Sequence, residues 1–360
     1  MLMKQWLMLM LSLVAAVTTR AQVNGRKPAE LLEVRKIWDA GEHNAFTDIV
    51  RWRNAWWCTF READKHVSPA GRIRVITSVD GDKWESAALV EEKDCDLRDP
   101  KFSITPDDRL MIVCGASVYT EGHGFRGRQP RVLFSKDGHA WTAPKRILGQ
   151  GDWLWRVVWH DGKAYGTAYN SNYVKQGDGT PYLVPGPEWS LELYRSDDGV
   201  TWEMIAPMEV SGRPNETTIR FLANGDLVAM VRRELGATRV GWIGVAHPPY
   251  TRWTWHENNY QFGGPNFIQL PDGSIVAGTR DYTANTPETK KTTTVIGWLA
   301  GNDYSFTPFV TLPSGGDNSY PGFVWYEGVL WTSYYSSHEG KTSIYLAKIK
   351  LPPAPAAAVK

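Results

Sequence analysis

Charged and phenolic side chains recur at one offset in an internal repeat of the sequence. Seven residues after each of six tight turns come, in order, Arg61, Gly115, Tyr169, Arg232, Arg280 and Tyr335. Guanidinium groups bind carboxylates through paired hydrogen bonds, and a phenol can donate or accept one. Because equivalent positions of a repeat lie on one face of the fold, the sequence predicts a polar ring that binds a substrate.

Two more pairs of residues are expected at the same face. Arg98 and Asp99 precede the inner strand of the second repeat, and Trp153 and Arg156 lie in the third. The loop histidines have no regular spacing: His43, His66, His123 and His338. No metal-ligand pattern and no Ser/His/Asp spacing stands out, so we expect neither a metal nor a cofactor.

Composition excludes one class of function. The 360 residues contain 40 lysines and arginines against 39 aspartates and glutamates, so no basic excess is available to bind nucleic acid. The 18 tryptophans suit either sheet cores or platforms for sugar rings.

The two ends of the chain are expected to lie outside the fold. Residues 1–21 combine Lys4, an apolar run and a final Ala21, which is typical of a cleaved signal peptide and predicts export. No other segment could cross a bilayer, and residues 352–360 read as a disordered tail. Three cysteines are too few for a disulfide scaffold and are expected as buried free thiols: Cys58, Cys95 and Cys114.

Between these ends, residues 22–351 are expected to form one all-β domain. Six hairpins, each an apolar strand, a tight turn and a second apolar strand, follow at intervals of about 55 residues. Their turn residues are Asn54, Asp108, Gly162, Gly225, Gly273 and Gly328. Six four-stranded units predict a six-bladed β-propeller. The last unit lacks one strand, which residues 32–38 are expected to supply.

The outer hairpin of the first three units has its own motif, Ser-x-Asp-Gly-x-x-Trp. It begins at Ser78, Ser135 and Ser196. The aspartate can accept hydrogen bonds from the turn, the glycine permits positive φ, and the tryptophan packs over the hairpin. These roles suit a tight turn between two strands.

The three motifs resemble the Asp-boxes of sialidases and related sialidase-like propellers. In that family the boxes are structural, which implies that Asp80, Asp137 and Asp198 take no part in the chemistry. That resemblance implies a tyrosine nucleophile, an assisting glutamate, an aspartate acid/base and arginines that hold a substrate carboxylate. Asn215-Glu216-Thr, followed by Arg232 after the hairpin, is similar to the family segment with the glutamate and the second arginine. Ser319-Tyr320-Pro is similar to the segment with the nucleophile.

Other positions depart from the family pattern. Where the family has its first clamp arginine this chain reads Asn44-Ala-Phe46, and no third arginine directly precedes Tyr320. The family's acid/base loop reads Arg61 to His66 here, so Glu62 or Asp64 are the candidates, with Asp99 as a third.

The resulting hypothesis is an exported glycoside hydrolase that removes a terminal sugar, with sialic or uronic acid as the acidic options. Two alternatives stay open: a polysaccharide lyase acting on uronates, and a non-catalytic sugar-binding propeller. The expected partner is a glycan, and the expected state is a monomer.

Overall fold

Six antiparallel sheets form a closed ring in the computed structural model, which describes residues 28–171, 188–236, 238–287, 289 and 291–355. This confirms the predicted six-bladed, all-β propeller. The described residues contain no helix, and hence none long and apolar enough to cross a membrane. The predicted signal peptide lies outside the described residues.

The first three blades follow one another along the chain, and their strands are given from the inside outward. Blade 1 consists of β2 (His43–Trp52), β3 (Ala55–Ala63), β4 (Arg72–Ser78) and β5 (Glu85–Val90). Blade 2 consists of β6 (Cys95–Ile104), β7 (Leu110–Tyr119), β9 (Arg131–Ser135) and β10 (Lys145–Arg146), with β8 (Phe125–Arg128) also paired to β7. Blade 3 consists of β11 (Asp152–His160), β12 (Lys163–Asn170), β13 (Ser190–Ser196) and β14 (Glu203–Pro207).

The last three blades complete the ring. Blade 4 consists of β15 (Pro214–Phe221), β16 (Leu227–Arg233), β17 (Trp242–Ala246) and β18 (Thr254–Glu257). Blade 5 consists of β19 (Asn266–Gln269), β20 (Ile275–Asp281), β21 (Thr293–Ala300) and β22 (Ser305–Leu312). Blade 6 consists of β23 (Asn318–Tyr326), β24 (Val329–Ser336), β25 (Ser343–Lys350) and β1 (Glu30–Trp38).

The N-terminal strand closes the ring as predicted. Strand β1 pairs antiparallel with β25, from Glu30 opposite Lys350 to Trp38 opposite Ile344. Beyond β25, Pro352 is buried and Ala354 packs against the apolar cluster between blades 5 and 6. These two residues of the predicted tail therefore lie on the propeller, and residues 356–360 lie outside the described part of the chain.

The blades pack against one another through apolar faces. All three cysteines are buried free thiols, as predicted. The residues at the inner hairpin turns suit the backbone conformation found there. Asn54 and Asp108 occupy turn positions with φ of 61° and 56°, a left-handed conformation that asparagine and aspartate tolerate better than most residues.

Most of the inner strands contain a β-bulge, which changes the direction of the side chains beside it. In five blades one extra residue is inserted near the start of the inner strand, between Ala45 and Asp48 in blade 1 and at equivalent places in blades 2, 3, 4 and 6. Such a β-bulge turns the local side chains toward a new direction. We call the end of the propeller where the inner strands begin the mouth. The bulges of three blades place Asp99, Glu216 and Tyr320 there.

Candidate active site

A buried tyrosine and a buried glutamate meet at the mouth. Tyr320 Oη, from blade 6, donates a short hydrogen bond to Glu216 Oε1, from blade 4. The other carboxylate oxygen, Oε2, accepts hydrogen bonds from Arg232 at 2.7 Å and from the Gly264 backbone N–H at 2.8 Å. Arg232 also lies 3.4 Å from Tyr320 Oη. The resemblance had paired these three side chains, and the structure brings them together.

The electrostatics of this cluster favour a neutral phenol beside an ionised carboxylate. Burial raises the pKa of Glu216, but the charge of Arg232 and the hydrogen bonds from Tyr320, Arg232 and Gly264 outweigh it, so the pKa lies below the ordinary value. Burial and the negative charge of Glu216 raise the pKa of Tyr320 well above 10. The proton therefore stays on Tyr320 until a reaction moves it to Glu216.

Asp99 is the predicted acid/base candidate that reaches this cluster. It has φ of 52° at its bulge, a conformation that costs a non-glycine residue energy and is common at functional sites. Its carboxylate makes no hydrogen bond to the described residues, and its charge acts on both Tyr320 and Glu216. Burial raises the pKa of Asp99 despite the nearby cations Arg98 and Lys101.

Neither of the other two acid/base candidates forms a hydrogen bond with Tyr320 or Glu216. Glu62 is held by Arg74 at 3.0 Å and by the indole N–H of Trp38 at 3.2 Å. Asp64 is exposed, and a hydrogen bond from Ser68 lowers its pKa. Alternation along a strand explains the first result, since Glu62 must face away from its neighbour Arg61.

Four of the predicted arginines fall into two pairs, one close to Tyr320 and one bound to Asp96. Arg232 contacts the tyrosine–glutamate pair directly, and Arg280 lies with its guanidinium 5.6 Å from the ring centre of Tyr320 and 3.0 Å from Tyr335 Oη. Arg61 is fully buried in an ion pair with Asp96, with distances of 2.6 and 3.0 Å. Arg98 shares that aspartate at 3.0 Å and stacks over Phe46, which lies in the stretch that departs from the family pattern.

Two further residues predicted to bind substrate are Tyr169 and Trp153. Tyr169 is buried and stacks on Trp189, and burial together with the negative charge of Glu216 raises its pKa. Trp153 explains why the predicted polar ring has a glycine at position 115, because a Cβ at Gly115 would lie 2.1 Å from the indole.

Arg156 does not reach the mouth. It forms an ion pair with Asp48 at 2.9 Å and lines a channel cavity of about 220 Å³ together with Arg220. Arg156 is itself a bulge residue of β11, but Asp48 and the Pro321 carbonyl hold its guanidinium in the channel, so the expectation that it opens onto the mouth with Trp153 is wrong.

Sequence reasoning missed a cluster at the edge of the site. His43, His66 and Asp317 converge there, with the ligand atoms of all three within 4.8 Å of one another. They come from the start of β2, the loop after β3 and the segment before β23. No spacing rule joins residues that far apart in the chain, so no sequence signal could have grouped them.

No family model and no curated protein sequence matches the chain. Solved structures do. A Dyadobacter fermentans protein of unknown function superposes with a TM-score of 0.74 at 18% identity, covering 90% of this chain and 99% of that one. The Trypanosoma rangeli sialidase gives 0.64 at 12% identity, covering 86% of this chain and 55% of its own.

An α-L-arabinofuranosidase from Fusarium graminearum, solved with an iminosugar inhibitor, also gives 0.64 at 12% identity, covering 89% of this chain and 97% of that one. The chain has a sialidase-like propeller fold. The sialidase-like propeller described here spans about half the length of the trypanosomal sialidase. One structure of that sialidase holds 2,3-difluorosialic acid as a covalent intermediate.

Proposed function

We propose that this sialidase-like propeller is an exported glycoside hydrolase that removes a terminal sugar from a glycan. The observation that carries the proposal is the buried hydrogen bond from Tyr320 to Glu216, with Arg232 and the Gly264 N–H on the same carboxylate. A carboxylate in contact with a phenol is the arrangement that lets tyrosine act as a nucleophile. A propeller that only binds sugar needs aromatic and arginine side chains, but not this pair.

The proposed reaction has two steps. In the first, Tyr320 Oη attacks the anomeric carbon and its proton passes to Glu216, while Asp99 gives its proton to the departing glycosidic oxygen. In the second, Asp99 takes a proton from water, the water oxygen attacks the anomeric carbon, and Tyr320 leaves and recovers its proton from Glu216. Each carboxyl group ends in its starting state, and the sugar keeps its configuration.

The pKa shifts fit these roles. The raised pKa of Asp99 favours the protonated acid that the first step needs, and the lowered pKa of Glu216 favours the ionised base. A neutral tyrosine approaches an electron-rich sugar without bringing a second negative charge to the site. The sialidase captured as a covalent intermediate has the same fold, which supports a covalent route in this chain.

The test compares wild type with Tyr320→Phe on sialosides, uronosides and neutral aryl glycosides, arabinofuranosides included. We expect turnover of at least one substrate and a loss of at least about 10⁴-fold in the variant, because the nucleophilic oxygen is gone while the ring remains. Tyr250→Phe is the matched control, since its hydroxyl binds the Gly225 carbonyl at the opposite end of the propeller. Unchanged turnover in Tyr320→Phe would remove the tyrosine from the mechanism.

The Arg232→Ala variant tests whether the natural substrate carries a carboxylate. Acidic and neutral sugars differ by a carboxylate that a guanidinium can bind, so Arg232→Ala should raise KM for a uronoside about tenfold more than for the matching neutral glycoside. An equal change for both sugars would show that Arg232 serves Glu216 and not a substrate carboxylate.

The lyase alternative has one supporting observation. Asp317 contacts His66 through one oxygen and lies near Arg280 and Tyr335 through the other, and these residue types suit proton abstraction next to a neutralised uronate carboxylate. Product analysis separates the two reactions, because a lyase leaves an unsaturated uronate that absorbs ultraviolet light and a hydrolase does not. Glycan binding without any turnover would instead favour the non-catalytic propeller.

Export is proposed from the N-terminal sequence alone. Mass spectrometry of protein secreted by expressing cells should find a chain beginning after Ala21. A chain that retains residues 1–21 would contradict cleavage.

A further inference from the structure

The cluster of His43, His66 and Asp317 is not used by the proposed reaction. Asp317 Oδ2 lies 3.0 Å from His43 Nε2 and 2.6 Å from His66 Nδ1. Three separate segments supply these atoms, and the propeller must close before they meet. Two imidazole nitrogens and one carboxylate oxygen form a donor set that zinc and other divalent transition metals accept.

The spacing suits a shared ion. Neighbouring ligands of a metal with bonds of about 2.0–2.2 Å lie roughly 3 Å apart in a six-coordinate site. The two contacts to Asp317 are close to that separation, so modest side-chain movement would admit an ion between the three atoms.

The surroundings orient the ligands. Asp317 Oδ1 accepts a hydrogen bond from Tyr335 Oη at 2.8 Å and lies 3.6 Å from Arg280, which leaves Oδ2 for the histidines. Such outer partners hold a ligating carboxylate in place. His43 is buried, whereas the side chain of His66 is 52% exposed, so water and solutes reach the cluster from one side.

We propose that His43, His66 and Asp317 bind one divalent transition-metal ion at the mouth. Two features moderate its affinity: the positive charge of Arg280, and His43 Nδ1, which is buried without a hydrogen-bond partner among the described residues. A metal-bound histidine normally donates from that second nitrogen. The site should therefore bind more weakly than a zinc site with complete outer partners.

The ion would lie beside the substrate space. The ring of Phe46 packs 5.4 Å from His66 and 5.1 Å from Tyr320, centre to centre. Three protein ligands leave coordination positions free on the exposed side. If the proposed hydrolase function holds, those positions can take a sugar hydroxyl or carboxylate while Tyr320 faces the anomeric carbon.

The experiment measures metal binding without any sugar, so its outcome is independent of the proposed hydrolysis. Mature protein stripped with a chelator is titrated with Zn²⁺, Co²⁺ and Mn²⁺, and bound metal is counted by mass spectrometry and calorimetry. We expect one ion per chain for at least one metal. His66→Ala, at a half-exposed position that folding tolerates, should weaken binding at least about 100-fold, since even loss of an outer partner costs 10–100-fold.

Two further variants make the test specific. Asp317→Asn should lose the ion as well, whereas His247→Ala removes a similar histidine beside Asp226 on the surface and should change nothing. Absence of stoichiometric binding for all three metals would overturn the proposal and leave a hydrogen-bonded His–Asp–His cluster. Binding that survives both His66→Ala and Asp317→Asn would overturn it equally.

Discussion

The two ends of the propeller hold their carboxylates in different ways. At the end opposite the mouth, Asp80, Asp137 and Asp198 each accept backbone N–H groups from residues two and three positions ahead. The N–H groups of Lys83 and Asp82 lower the pKa of Asp80 to about 2. At the mouth, Glu216 is held by a tyrosine 104 positions away, and Asp317 by a histidine 274 positions away.

This difference separates stabilising residues from residues kept for chemistry. A turn carboxylate stays in water and needs only its own hairpin, so its hydrogen bonds form with little desolvation. A mouth carboxylate loses water and depends on several blades at once. Asp99 is the extreme case, because it is buried, has left-handed backbone and lacks a hydrogen bond to the described residues. Such a group costs stability, which indicates that another property retains it.

The largest effect that tests this distinction is expected at Glu216. Glu216→Gln keeps the shape and can still contact Tyr320 and Arg232, but it cannot take the tyrosine's proton. Turnover on the best substrate should fall by at least about 10³-fold, within the range for loss of a positioned proton-transfer group. Circular dichroism and melting curves supply the control for folding. Turnover within tenfold of wild type would place Glu216 among the structural carboxylates.

The next effect is expected at Asp99, where activity and stability should move in opposite directions. Asp99→Asn should lower kcat/KM by about 10²–10⁴-fold, as for loss of a general acid. Because burial raises the pKa of Asp99, the folded protein resists its ionisation. The variant should therefore melt higher than wild type at neutral pH.

The pH dependence of that stability change gives a second measurement. Below the ordinary aspartate pKa of about 3.9 the side chain is protonated in both the folded and the unfolded chain, so the difference in Tm should vanish there. It should grow as the pH rises through the raised pKa of the folded state. A variant that melts lower than wild type at neutral pH would show that Asp99 stabilises the fold.

Sequence patterns predicted what local chemistry or repetition determines. The turn spacing led to six blades, and the missing strand of the last unit led to β1. Repeat arithmetic placed Arg232, Arg280 and Tyr335 near one end, where the structure has them. Glu216 and Tyr320 came from resemblance, since nothing local shows that residues so distant in sequence share a hydrogen bond.

What could not be predicted depends on closure of the ring and on the direction of single side chains. Glu62 was expected in a loop but lies in β3, where strand alternation turns it toward Arg74. The bulge that aims Asp99 appears in the structure as a shift in pairing register, and the steps Asp99-Pro100 and Tyr320-Pro321 are the sequence signal that accompanies a bulge in two blades. The meeting of His43 with Asp317 needs the first and last blades to be adjacent.

The smallest effect on activity is expected at the opposite end. Trp141 is partly buried, stacks near Phe102, and donates its indole N–H to the Gly138 carbonyl at 2.9 Å. Trp141→Ala should destabilise the fold by about 2–3 kcal/mol, less than the roughly 3–5 kcal/mol of a fully buried tryptophan, and leave turnover by the folded protein unchanged. Trp202→Ala, in the equivalent turn of blade 3, should behave alike, because its indole N–H binds the Gly199 carbonyl in the same way. Thermal melting and kcat, measured well below Tm, check both variants. A Trp141→Ala protein with wild-type Tm and lost turnover would contradict this distinction. It would mean that the turns opposite the mouth contribute to catalysis and not to stability.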